Sequence, residues 1–211
     1  MDLERTVLQI LKEGGPVAWD SLKKYLVNME DGSKRLAEII MRHAAAAGVA
    51  AMASGVLPGI GALISSVIGI GAIWHMYYAI GQYLHLEFSK DILKAIASAI
   101  IVNIVTQLAG VITMEILASF VPGLAIITNG ICLFGVTYIA GILFLKALVH
   151  IFKAGGDPSK MTAQEIEARI KEAARDANLR DEFRNAKDTF KQMRKDGTLN
   201  EQSRGVDINS D

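Results

Sequence analysis

The chain has 211 residues, enough for one compact domain with appendages, and its 22 basic and 22 acidic residues give a formal net charge of zero. That balance offers a nucleic-acid partner no electrostatic support, so none is expected. A single cysteine, Cys132, excludes an intramolecular disulfide.

Hydrophobic residues make up 51% of the chain, and mean hydropathy is +0.31. The charges gather at the two ends: no Asp, Glu, Lys or Arg occurs in 44–86, 95–114 or 116–145. A helix that crosses a bilayer needs about 20 mostly apolar residues, and each run meets that length. The expected fold is therefore all-α, with membrane-associated helical hairpins whose apolar helices break at Pro-Gly and amphipathic soluble helices at both ends. Four regions follow: N-terminal amphipathic helices at 1–43, an apolar membrane domain at 44–153, soluble helices at 154–196 and a disordered tail at 197–211.

Residues 1–13 space Leu3, Val7, Leu8, Ile10 and Leu11 as a helix does, and Gly14-Gly15-Pro16 stops it. A second amphipathic segment at 18–29 ends at Glu30-Asp31-Gly32. Nothing in 1–43 reads as a signal peptide, so membrane insertion is expected to depend on the internal helices. Ser33 is the expected N-cap of a helix over 33–56 that breaks at Pro58-Gly59.

The next helix, over 60–86, sets Ala62, Ser65, Gly69 and Ala72 at 3-4 spacing, a seam that lets two backbones approach closely. Trp74, His75, Tyr77, Tyr78, Tyr83 and His85 cluster at its far end. Such rings favour the level where a helix leaves hydrocarbon for headgroups, with aromatic core packing as the alternative. Ser89-Lys90-Asp91 reads as an N-cap and a first-turn acid for a helix to about 119. Along it Ala99, Asn103, Thr106, Gly110 and Thr113 share one arc, so the two seams are expected to pack as an antiparallel hairpin or an oligomer interface. The same polar seam could line a water-filled path. Glu115, an acid flanked by apolar runs, is a candidate intramembrane functional residue, or an interfacial structural acid near the next break.

That break, Pro122-Gly123, echoes Pro58-Gly59, and Tyr-x-x-Gly follows each, at Tyr78 and Tyr138. The last apolar helix, 125–152, carries Gly130, Thr137 and Gly141 near one face and ends with Lys146, His150 and Lys153. After the linker Gly155-Gly156-Asp157-Pro158, Thr162 and Glu165 form a capping box opening a polar helix to about 178, followed by another at 180–195. These soluble helices are expected to pack on the N-terminal helices or on neighbouring subunits.

No catalytic constellation appears. The phosphate-loop pattern is missing, and His43, His75, His85 and His150 stand ten or more residues apart without metal-ligand spacing. Enzymatic activity, cofactor and metal are not expected.

Leu57-Pro58-Gly59, the helix bearing His75-Met76-Tyr77-Tyr78, the start at Ser89-Lys90-Asp91 and the second break at Val121-Pro122-Gly123 carry a resemblance. Residues 44–165 resemble the domain of unknown function shared by YcjF-type bacterial inner-membrane proteins and the C-terminal regions of some Era-like GTPases. The resemblance implies a helical membrane module working beside a GTPase or a stress system, without established chemistry. This chain has no GTPase domain, so the GTPase is expected as a separate partner.

Together these readings give a non-enzymatic membrane protein that self-associates through small-residue seams. It would serve as a membrane-anchored assembly or recruit a partner, or insert on demand to remodel or permeabilise a membrane. Two alternatives stand beside it: a soluble oligomer that buries its apolar helices between subunits, and a channel or transporter using the seam at 99–113. An even number of crossings would place both charged ends in the cytosol.

Overall fold

A computed structural model of the protein describes residues 29–54, 61–86, 88–118, 125–153, 160–175 and 177–206. Among them lie seven α-helices and no strand: α1 (Met29–Ser54), α2 (Gly61–Tyr83), α3 (Lys90–Ala118), α4 (Ala125–Lys153), α5 (Ala163–Arg175), α6 (Leu179–Asp196) and α7 (Thr198–Ser203). Three are long and apolar enough to cross a membrane, through Lys34–Ala53, Lys90–Gly110 and Ile126–Ile151. The side chains at 61–68 in α2 lie outside the described residues.

Packing divides the chain into two units, and each long helix contributes a part to both. The first gathers Met1–Ile40, Met76–Asn103 and Ala140–Asn178. Its core is largely aliphatic, with Leu36, Ile40, Met76, Ile80, Ile96 and Ile100 all buried, and holds an aromatic pair. Tyr77 stacks on Phe144 at 4.3 Å between centroids, and its hydroxyl donates to the Ala140 carbonyl at 3.2 Å. A buried tyrosine needs such a partner, so this ring belongs to the core, whereas Tyr78 is exposed. In α5, Ile166, Ile170, Ala173 and Ala174 form a buried helical stripe.

Local capping explains how α3 and α5 begin. The Ser89 hydroxyl accepts from the Ile92 amide at 3.2 Å, with Asp91 in the first turn. Before α5, the Thr162 amide donates to Glu165 Oε2 at 2.8 Å, and the Glu165 amide donates to Thr162 Oγ1 at 3.3 Å. The Thr162 backbone bond, then its hydroxyl, holds the Glu165 carboxyl below its ordinary range. A lowered pKa in the fold means that this capping contributes above the unfolded value and is lost as pH falls through the folded one. Protection of the Glu165 amide, taken relative to the intrinsic exchange rate at each pH, should therefore fall only below the ordinary glutamate range. Thr162→Ala should lose that protection already at neutral pH; unchanged protection there would remove the cap from the account.

The second unit gathers Met41–His75, Ile104–Ile139 and Leu179–Asp211. Here α1 presents Ala44, Ala45, Ala47 and Ala51, all fully buried, around Gly48. A Cβ on Gly48 would lie 3.2 Å from the Gly130 carbonyl oxygen, and one on Gly130 would lie 3.2 Å from that of Gly48. The two backbones cross almost in contact, which only small residues permit.

Several boundaries differ from the sequence expectation. The backbone is already helical at Met29, so Ser33 lies inside α1 and does not cap it. A glycine inside a helix costs about 1 kcal/mol relative to alanine, and Gly32 does not stop this one. α5 ends at Arg175, short of 178. The tail is not wholly disordered: α7 forms after Gly197, whose φ of 83° turns the chain. Asp196 accepts from the Thr198 amide at 3.1 Å, and Leu199 is buried. The Arg42 guanidinium then donates to the Arg204 carbonyl at 2.9 Å. The N-terminal helices expected in 1–28 and the remaining tail at 207–211 lie outside the described residues.

Candidate functional site

The charged helix α6 packs through an apolar stripe. Leu179, Phe183, Ala186, Phe190 and Met193 recur at 4-3-4-3 spacing and are buried. Phe183 sits on Gly135 of α4, where an added Cβ would come within 2.7 Å of the ring. Phe190 sits over Gly130, 2.9 Å from a Cβ built there, and meets Phe134 edge-on at 5.4 Å between centroids. Glycines in α4 thus form the seats for two phenylalanines of a charged helix. Among the described residues α6 therefore packs on the apolar run itself; the N-terminal helices on which it was expected to pack lie at 1–28, outside the described residues.

The outer face of α6 is ionic. Arg180, Asp181, Arg184, Asp188, Lys191, Arg194 and Lys195 are exposed, and Arg184 pairs with Asp181 at 3.0 Å. An exposed pair of this kind adds roughly 0–1 kcal/mol, so the aromatic seats hold the helix in place. At the centre of a bilayer, each such charge costs roughly 2.5–3.5 kcal/mol. Seven of them cannot lie beside a membrane-spanning segment in hydrocarbon.

Of the three candidate spans, that of α4 is the most heavily covered. Its segment Ile126–Ile151 is 78% buried, against 44% for Lys34–Ala53 and 39% for Lys90–Gly110. Besides α6, it meets Gly48 and Met52 of α1 at Gly130 and, in the first unit, Ile40 of α1 at Gly141. Thr137, on the same side of the sequence pattern, is fully buried, and its hydroxyl has no hydrogen-bond partner among the described residues.

The seam residues named from sequence fall into three groups. Ala72 is fully buried, and Gly69 packs against Leu133 of α4, 2.5 Å from a Cβ built on the glycine. On α3, Ala99 and Asn103 are half-buried while Thr106 and Gly110 are exposed, with nothing within 4 Å of a Cβ at Gly110. The Asn103 amide donates back to the Ala99 carbonyl at 2.8 Å, so this polar group is satisfied along its own helix. Pro58, Gly59, Pro122 and Gly123, and the side chains of Ala62, Ser65, Thr113 and Glu115, lie outside the described residues. Sequence reasoning missed Gly48, Gly135, Phe183 and Phe190. For the last two the signal was present in the apolar spacing of α6.

The described residues contain no group of three His, Cys, Asp or Glu side chains able to hold a metal ion. Comparison of the chain with protein families, with characterised proteins and with solved structures finds no match.

Proposed function

We propose that this is a non-enzymatic, self-associating α-helical membrane protein with a closed form, in which α6 covers α4, and an inserted form, in which α6 has left. The carrying observation is that a helix of membrane-spanning length is 78% buried, partly beneath a helix whose outer face is ionic. In water, covering α4 removes apolar surface that would otherwise drive aggregation. In a bilayer the same surface is solvated by lipid, and the charges of α6 favour leaving. The two solvents therefore select opposite states of one contact.

Self-association is assigned to α3, whose outward side carries Val102 at 63% and Val105 at 50% exposure beside Thr106 and Gly110. Small residues among apolar ones are what close helix pairing in lipid uses. The resemblance of residues 44–165 to the YcjF-type domain implies a separate GTPase partner and a bacterial inner membrane, and an even number of crossings would place both charged ends in the cytosol.

Flotation of the full chain with phospholipid vesicles, followed by a carbonate wash and sizing in detergent, tests this reading. The expected result is a carbonate-resistant pool that runs as an oligomer. A soluble particle of fixed mass that ignores vesicles would overturn it in favour of the second reading, a soluble oligomer with the α3 face buried between subunits. The exposed valines of α3 support that reading equally, and only behaviour toward lipid separates the two.

A further inference from the structure

A second stripe runs along α6, beside the apolar one. Its members are Arg180, Arg184, Lys187, Lys191, Arg194 and Lys195, all the basic residues the helix has. At about 100° per residue they fall within an arc of about 100° that borders the stripe of Leu179, Phe183, Phe190 and Met193. Asp181, Asp188 and Asp196 lie past the far edge of that arc, and Glu182 lies on the opposite flank. Arg180, Arg184, Lys191, Arg194 and Lys195 are exposed.

A surface that only has to stay in water needs no such sorting, and α5 shows the unsorted arrangement. There Lys171 pairs with Glu167 at 2.8 Å and Arg169 with Glu172 at 3.0 Å, base and acid one turn apart. On α6 the Arg184–Asp181 pair, at 3.0 Å, lies open to solvent and so holds Arg184 only weakly. A helix with an apolar side and a cationic flank is the form that lies on a membrane surface, with its cations on anionic headgroups.

We propose that the basic stripe of α6 is a docking surface for an anionic lipid bilayer. A nucleic acid offers phosphates to the same cations but nothing to the apolar stripe. A bilayer serves both: headgroups for the cations, and beneath them a place for Phe183, Phe190 and Met193 once α6 has left α4. That last step rests on the membrane reading; docking through the stripe does not.

The test is flotation of the full chain with vesicles of phosphatidylcholine alone and with vesicles of phosphatidylcholine and phosphatidylglycerol at three to one. Each cation at an anionic surface is worth about fivefold in binding. The triple variant Arg180→Gln, Lys191→Gln and Arg194→Gln should therefore need about a hundredfold more of the anionic vesicles than wild type for equal flotation, at unchanged Tm. Salt at about 1 M, which cuts the screening length to about 3 Å, should bring wild type down to the variant. Arg169→Gln, Lys171→Gln and Arg175→Gln remove as much charge from α5 and should keep wild-type flotation. Equal loss in the two triples overturns the proposal by reducing it to net charge. So does equal flotation of wild type with both vesicles, or stripe-dependent binding of a DNA duplex without preference for the anionic vesicles. A carbonate wash keeps the two readings apart. Stripe-dependent flotation that washes off sinks the spanning reading alone, and carbonate-resistant protein indifferent to lipid charge sinks the stripe alone.

Discussion

Replacing Phe190 with alanine is expected to detach α6 from α4 and increase the fraction of protein that floats with vesicles. The ring is fully buried and contacts Phe134, with Gly48 and Gly130 beneath it. Removing a phenylalanine from such a site costs about 3–5 kcal/mol, from lost transfer energy and the cavity left behind. Much of that loss falls on the docking of one 18-residue helix, because α6 reaches α4 through few large side chains. Limited proteolysis should cut α6 faster in the variant, and flotation should rise at a given lipid concentration. Faster proteolysis without greater flotation would mean that α6 stabilises the fold but does not control insertion.

The second large effect is expected at the glycine crossing. In Gly130→Val the first side-chain atom would meet Met52 Cγ at 2.6 Å, Phe190 Cζ at 2.9 Å and the Gly48 carbonyl oxygen at 3.2 Å. The methionine can swing aside. The carbonyl belongs to a helix backbone and cannot. Overpacking of this kind costs about 1–3 kcal/mol and sometimes more, and two close neighbours put this site toward the upper end. For a chain of this length, that is a fall in Tm of roughly 2–12 °C. Gly110→Val, compared as the detergent-dispersed monomer because the glycine lies on the proposed self-association face, is the matched control: nothing in the chain lies within 4 Å of a Cβ there. Equal losses in the two variants would show that the α1–α4 crossing is not a close contact.

The two substitutions also separate the roles of α4. Phe190→Ala weakens the cover and leaves the α1–α4 crossing intact. Gly130→Val disturbs both, since the same glycine seats Met52 and Phe190. Flotation should therefore respond to Phe190→Ala at temperatures where the remaining helices are still folded.

The helices were legible from sequence because their signals are local. Charge-free runs, two Pro-Gly breaks, a serine cap at 89 and a Thr-x-x-Glu box place α2 to α5 closely. Which helix meets which was not legible. Small residues recur in every apolar run, so their spacing finds seams but not partners. The seams at 62–72 and 99–113 point to each other by proximity in sequence. The described contacts bring Gly69 to Leu133 and Gly48 to Gly130 across long stretches of chain, pairings that spacing alone does not name. Gly48 itself is hidden in an alanine-rich run where every face looks alike.

α6 shows the opposite case. Its apolar stripe was visible, but a charged helix next to an apolar domain reads as two solvents, and the stripe's true partner lies in the other composition class. α7 was missed because its composition is polar, although Asp196-Gly197-Thr198 carries a turn-and-cap signal. His85, left-handed at φ 53° where α2 ends, leaves no trace in sequence, since that position predicts glycine.

The central claim is that α6 leaves α4 when the protein meets a bilayer. Spin labels at Ile126→Cys on α4 and Arg194→Cys on α6, both exposed positions, measure it directly once Cys132→Ser removes the native thiol. The account predicts one short distance without lipid and a longer, broader distribution on vesicles. The same short distance in protein that resists carbonate extraction would contradict it.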